Sequence, residues 1–344
     1  MVHFSFLLVS NSVHSLVARR YLRCRVRSFG KASVTPKFGI NVSRCAHSRL
    51  LFPANNFCYH AAMKTLSRVH ILAVALLLIA TGISADPSHG PQKGYLLITG
   101  GMTQRPDYVR FIEMAGGKNA RIVVIPTASV TRPPTAAELE HYCTDAATFA
   151  GINCVVLHTT DRAEADSEAF VAPLKNATGV WLLGGRQWRL ADAYLGTRTV
   201  KELFAVLDRG GVIAGGSAGA SIQASYMVRG QSSPDDNTVM MAKGHETGFA
   251  LFTNVAIDQH VDARGRENDL GIVMKAHPEL LGLGLDQSTS ITVHGDTVTV
   301  NGPGKIAVWD GKDHDGKGYY QLHQGDKLDT VTRVATLAST SGAN

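Results

Sequence analysis

The chain has 344 residues and a formal charge of +6, with 34 Lys and Arg against 28 Asp and Glu, but the basic excess is confined to one end. Residues 1–85 hold eleven basic side chains and no acidic one, so the other 259 residues, with 23 basic and 28 acidic side chains, are net acidic. The overall charge is therefore no argument for nucleic-acid binding by the folded part, and none is expected.

In chain order, the first feature is a leader. Met63-Lys64-Thr65-Leu66-Ser67-Arg68-Val69-His70 is a basic segment, 71–79 an apolar core, and Thr81-Gly82-Ile83-Ser84-Ala85 a small-residue cleavage region. This pattern predicts a signal peptide over 63–85, cut after Ala85, and a periplasmic or secreted protein. The apolar core is too short for a comfortable membrane span, so no stable membrane anchor is expected. Residues 1–62 read as an extension upstream of a true start at Met63, or as a disordered transit leader. The first reading is preferred because it explains the complete signal peptide that follows. Residues 86–344 then form a single domain with room for a large core.

Apolar runs alternate with amphipathic segments in that domain. Strands are predicted at 95–99, 121–125, 154–157, 179–183, 211–214, 255–258 and 281–285. Helices are predicted at 107–115, 136–150, 164–174, 199–209, 218–224 and 268–276. The alternation predicts an α/β fold, a mostly parallel sheet flanked by helices on both faces. Short alternating runs at 291–293, 297–300 and 306–309, separated by Gly295-Asp296 and Asn301-Gly302-Pro303-Gly304, predict a C-terminal antiparallel hairpin and edge strands. Residues 229–237 read as a polar surface loop. Of the five cysteines only Cys143 and Cys154 follow the leader, and two half-buried thiols are the expectation for them. No Cys/His spacing resembles a zinc site, and no metal or cofactor is expected.

The segment Val212-Ile213-Ala214-Gly215-Gly216-Ser217-Ala218-Gly219-Ala220 carries the chemistry. An apolar strand runs into Gly-x-Ser-x-Gly and then into small helix-compatible residues, the pattern of a nucleophile elbow. A serine needs a base. Nine histidines follow Ala85, and His260 stands apart from the rest. It ends a strand in Ile257-Asp258-Gln259-His260, where α/β sites gather, with Arg264 and Arg266 just beyond.

Six motifs in order resemble the cyanophycinase branch of the S51 serine peptidases, relatives of aspartyl dipeptidase with a flavodoxin-like, class I glutamine-amidotransferase-like fold. They are Ile98-Thr99-Gly100-Gly101, Val124-Ile125-Pro126-Thr127-Ala128-Ser129, Gly184-Gly185-Arg186-Gln187, Gly215-Gly216-Ser217-Ala218-Gly219-Ala220, Asp258-Gln259-His260 with Arg264-Gly265-Arg266, and Gly282-Leu283-Gly284-Leu285-Asp286. The resemblance implies Ser217 as nucleophile, His260 as general base, and an oxyanion hole from the backbone N–H groups of Ala218 and Gly185. It places Gln187 beside the nucleophile and Asp258, Gln259, Arg264 and Arg266 at the substrate, a peptide or poly-amide such as cyanophycin, whose poly-aspartate backbone carries arginines. The oligomeric state stays open, with a homodimer as one option.

Two positions depart from the family pattern. Gln287 stands where its cyanophycinases usually carry the third triad residue, a Glu. A glutamine oxygen orients a histidine but offsets none of its charge. Asp286, its neighbour, faces the other way unless the strand bulges. Asp269 stands where an arginine is common. A weakened binding homologue and an aspartyl dipeptidase-like exopeptidase are the alternatives these departures leave.

Overall fold

The computed structural model describes residues 89–145, 148–232 and 238–339. The expected leader and signal peptide, with the boundary between them, lie outside the described residues. Five apolar runs build the centre: β1 (Tyr95–Thr99), β2 (Arg121–Ile125), β3 (Asn153–Val156), β4 (Gly179–Leu182) and β5 (Val212–Gly216). They pair in parallel in the order β3-β2-β4-β5-β1. Successive side chains point to opposite faces, so Leu96, Ile98, Val123, Ile125, Val180, Leu182 and Ile213 enter one apolar cluster. Leu97, Ile122, Val124, Trp181, Val212 and Ala214 enter another. Both faces are covered, which is why these strands read as unbroken apolar runs. Helix Arg105–Met114 brings Phe111 to the second cluster, where it meets Trp181 edge-on at 4.9 Å. Helices Gln187–Tyr194 and Arg198–Asp208 bring Leu190, Tyr194, Leu203 and Val206 to the first.

The rest of the sheet differs from the sequence expectation. The hairpin forms, as β9 (Ser290–His294) and β10 (Thr297–Asn301), but β9 pairs antiparallel with β1 inside the sheet. Two further strands, β13 (Lys327–Asp329) and β14 (Val334–Thr336), extend it to nine. The runs at 255–258 and 281–285 do not join this sheet. They are β7 (Phe252–Asp258) and β8 (Leu281–Leu285), parallel neighbours in a second sheet with β6 (Ala224–Tyr226), β11 (Lys305–Trp309) and β12 (Tyr320–His323), ordered β12-β11-β8-β7-β6. Val255, Ile257, Leu283 and Leu285 share the first apolar cluster with the main sheet. A buried strand is equally apolar in either sheet, so local pattern does not choose its partner.

The predicted helix over 164–174 is broken into short turns, because Ser167 caps a new start by accepting from Phe170 N–H at 3.2 Å and Pro173 follows within a 3-10 turn. The helix predicted to 150 ends at Thr144, with Asp145 already extended. There the two-thiol expectation is overturned: Cys143 and Cys154 form a disulfide, Cα atoms 5.5 Å apart, tying the end of this helix to β3. Closing a loop of this length removes about 3 kcal/mol of unfolded-chain freedom. Cys143→Ser with Cys154→Ser is expected to lower the unfolding free energy by about 2–3 kcal/mol in a denaturant titration. An unchanged midpoint would show that the bridge adds no stability.

Candidate active site

Ser217 sits at the head of β5 with φ 55 and ψ −115, a conformation unusual for a side-chain-bearing residue. It is the strained turn of a nucleophile elbow, and the one-turn helix Ala218–Ser221 follows at once. The turn closes because the residues around it are small: a Cβ on Gly219 would overlap the Leu182 carbonyl. Ser217 N–H is held by the Thr99 carbonyl of β1 at 3.3 Å.

His260 follows β7 and also has a positive φ of 55. Its N–H donates to the Gly100 carbonyl at 2.7 Å, drawing the second sheet's strand end to the end of β1. The ring spans two partners, with Nε2 3.0 Å from Ser217 Oγ and Nδ1 2.9 Å from Gln287 Oε1. The amide oxygen only accepts, so Nδ1 carries the proton and Nε2 offers its lone pair to the serine hydroxyl. Gln287 is itself clamped: its N–H donates to Asp262 Oδ1 at 2.7 Å, and its carbonyl accepts from Met102 N–H at 3.0 Å. Asp286 turns away, its Oδ2 accepting from Lys305 N–H at 3.1 Å. Burial raises its carboxyl pKa from the ordinary value, the Lys305 hydrogen bond opposes this, and Asp262 adds to the rise.

The ring lies against Gly101, where an added Cβ would overlap the imidazole and φ is +146. Gly101→Ala is therefore expected to push His260 off Ser217 and lower kcat/KM by up to about 10²-fold, since displacements near 1 Å carry such losses. Full activity in this variant would place the working histidine elsewhere.

Burial lowers the His260 pKa below its ordinary value. The Gln287 hydrogen bond opposes this, while Arg264 and Arg266 add to the lowering. The neutral, proton-accepting form therefore persists to lower pH than for a free imidazole. The acid limb of kcat/KM is expected below the ordinary histidine value of about 6.5. A limb above it would contradict this environment.

The oxyanion hole is expected from two backbone N–H groups, those of Ala218 and Gly185. Ala218 opens its helix, where the first amides have no intrahelical acceptor. Gly185 lies exposed on the loop after β4, and the Cβ position of its neighbour Gly184 is 3.3 Å from Ser217 Cβ.

The remaining sequence-derived contacts divide. Arg264 is exposed one turn beyond His260. Arg266 is 8% exposed and donates to the Gln259 carbonyl at 3.2 Å; burial, then Arg229, lower its pKa to about 10. Gln259 is buried, and its Oε1 has no partner among the described residues. Two expectations need correction. Gln187 is buried, with Nε2 donating to the carbonyls of Val228 and Arg229 at 2.8 Å, so that amide nitrogen is spent on holding a loop. Asp258 is fully buried and ion-paired to Arg229, so it does not face a substrate. Arg229 was missed within a segment read as a polar loop. Its signal is a lone cation ending the run Tyr226-Met227-Val228, since a charge entering an apolar stretch requires a buried counter-ion.

Fold and site together define an α/β protein with a serine at a strained strand-to-helix turn and a histidine in reach of it. The signature of peptidase family S51 matches residues 96–301, a span that contains Ser217, His260 and Gln287. The chain belongs to that family and is a peptidase. Cyanophycinase from Synechococcus elongatus is 33% identical over 235 residues, covering 65% of this chain and 70% of that protein. Cyanophycinase from Geminocystis herdmanii is 31% identical over 208 residues, 59% of this chain and 74% of its own. Among solved structures, a peptidase from an acI-B1 Actinobacterium aligns with a TM-score of 0.53 at 21% identity, over 70% of this chain and 98% of that one, a likeness of fold.

Proposed function

We propose that this peptidase is of the serine type and acylates Ser217. The observation that carries the proposal is the unbroken hydrogen-bond chain Ser217–His260–Gln287 at the head of the elbow. His260 Nε2 takes the hydroxyl proton as Oγ attacks the peptide carbonyl, then returns it to the leaving amine; water deacylates by the reverse sequence. Ala218 N–H and Gly185 N–H are assigned to the tetrahedral oxyanion, a contribution of about 3–4 kcal/mol. Gln287 keeps the productive tautomer but leaves the imidazolium without a compensating charge. The enzyme is slowed by this, not silenced.

The substrate is a peptide or poly-amide with acidic groups, cyanophycin-like or Asp-containing, met by the cations of Arg264 and Arg266. The protein works outside the cytoplasm, periplasmic or secreted, a reading supported by the Cys143–Cys154 bridge, which suits an oxidising compartment. The test compares release of β-aspartyl-arginine from insoluble cyanophycin with hydrolysis of Asp-X dipeptides. Cleavage of at least one class, lost on Ser217→Ala, is the expected result. Cleavage of neither by folded protein whose Ser217 reacts with a serine probe would overturn the substrate class.

A further inference from the structure

Asp258 ends β7 two residues before His260 and is fully buried. Three hydrogen bonds fall on its two oxygens. Arg229 Nε donates to Oδ1 and Arg229 Nη2 to Oδ2, each at 2.8 Å, and Gln259 N–H adds a bond to Oδ1 at 3.0 Å. Arg229 is 2% exposed, and its Nη2 also reaches Asp269 Oδ2 at 2.6 Å. The Arg229 carbonyl is bound by Gln187, the first residue of the helix that follows Gly184-Gly185-Arg186. One arginine thus joins the oxyanion side of the site to the histidine side. A planar guanidinium gripping both carboxylate oxygens is also what a substrate arginine would present to Asp258.

We propose that Arg229 is a positioning and specificity-determining residue. It fills Asp258 as an internal guanidinium, so this acid braces the strand end that carries His260 instead of binding a cationic substrate side chain. Arg264 is then the exposed charge that meets the substrate, with the buried Arg266 behind it, and together they select an anionic group. The alternative, in which Arg229 swings away to free Asp258, would break a bidentate buried pair and the Asp269 contact together.

The specificity arm rests on the peptidase reading, and the positioning arm is also read without turnover. In the Ser217→Ala protein, binding of β-aspartyl-arginine and β-aspartyl-alanine is compared. The arginine dipeptide is expected to bind no more than about threefold tighter, since both ligands meet the same two cations. The ratio should be unchanged in the double variant Asp258→Asn, Arg229→Gln. A preference for the arginine dipeptide of about tenfold or more, lost in the double variant, would overturn the proposal. In the Ser217 protein, each single substitution is expected to lower kcat about tenfold or more with KM little changed. The double, which removes one charge of each sign, should recover part of the loss. A selective rise in KM for arginine-bearing substrate would overturn the proposal here too. If a single variant does not fold, thermal unfolding of the double decides: a fall in Tm no larger than the folded single's supports the pair, and a larger one contradicts it. Failure of the peptidase reading shows separately, as folded protein whose Ser217 resists a fluorophosphonate.

Discussion

Ser217→Ala is expected to lower kcat by about 10⁴-fold while KM changes little, because the role proposed for the hydroxyl is in bond-making and not in holding the substrate. The size follows from the orienting residue. A complete Ser-His-carboxylate set is worth about 10⁶ in kcat, and a serine without its charged third member recovers only part of that. Here the third member is the neutral Gln287, 2.9 Å from His260 Nδ1. A loss smaller than about tenfold, in steady-state assays free of wild-type contamination, would show that turnover does not pass through this hydroxyl.

Gln287→Glu is the counterpart, a gain of about 10²- to 10³-fold in kcat. An amide third member costs about 10⁴ in a serine protease partly because it leaves the histidine in the wrong tautomer. That part of the loss is absent here, since Gln287 Oε1 accepts from Nδ1 and leaves Nε2 free to take the Ser217 proton. What is missing is the charge opposite the imidazolium, a smaller deficit. A carboxylate at 287 also favours the protonated ring, so the His260 pKa rises and the acid limb of kcat/KM moves to higher pH. Gain and limb shift together support the assignment. An unchanged rate with an unchanged limb would mean that another group already supplies the charge. Asp286 is a poor candidate for that role, because its carboxylate faces Lys305 N–H.

Much of the site was legible because its chemistry is local. The elbow is one continuous segment, the strand before it is apolar, and its small residues report a turn where a Cβ would overlap the neighbouring strand. His260 was found from its place at a strand end, and Gln287 from its departure from a family pattern. The facing of Asp286 away from the ring followed from strand alternation. What was not legible is whatever depends on partners distant in sequence. Asp258 looks like an available acid until Arg229, 29 positions earlier, is seen on both its oxygens. Gln187 looks like a pocket residue until the carbonyls of Val228 and Arg229 take its amide. The division into two sheets was hidden for the same reason, as was the pairing of Cys143 with Cys154. Helix Gln187–Tyr194 was missed because no side chain caps its start at Arg186.

The central claim is that Ser217 is the residue acylated during turnover. The direct measurement is reaction of the folded protein with a small fluorophosphonate, followed by peptide mapping of the adduct by mass spectrometry. A single adduct on Ser217, whose formation slows sharply in His260→Ala, is the result expected. Folded protein that carries no adduct at Ser217 would contradict the account.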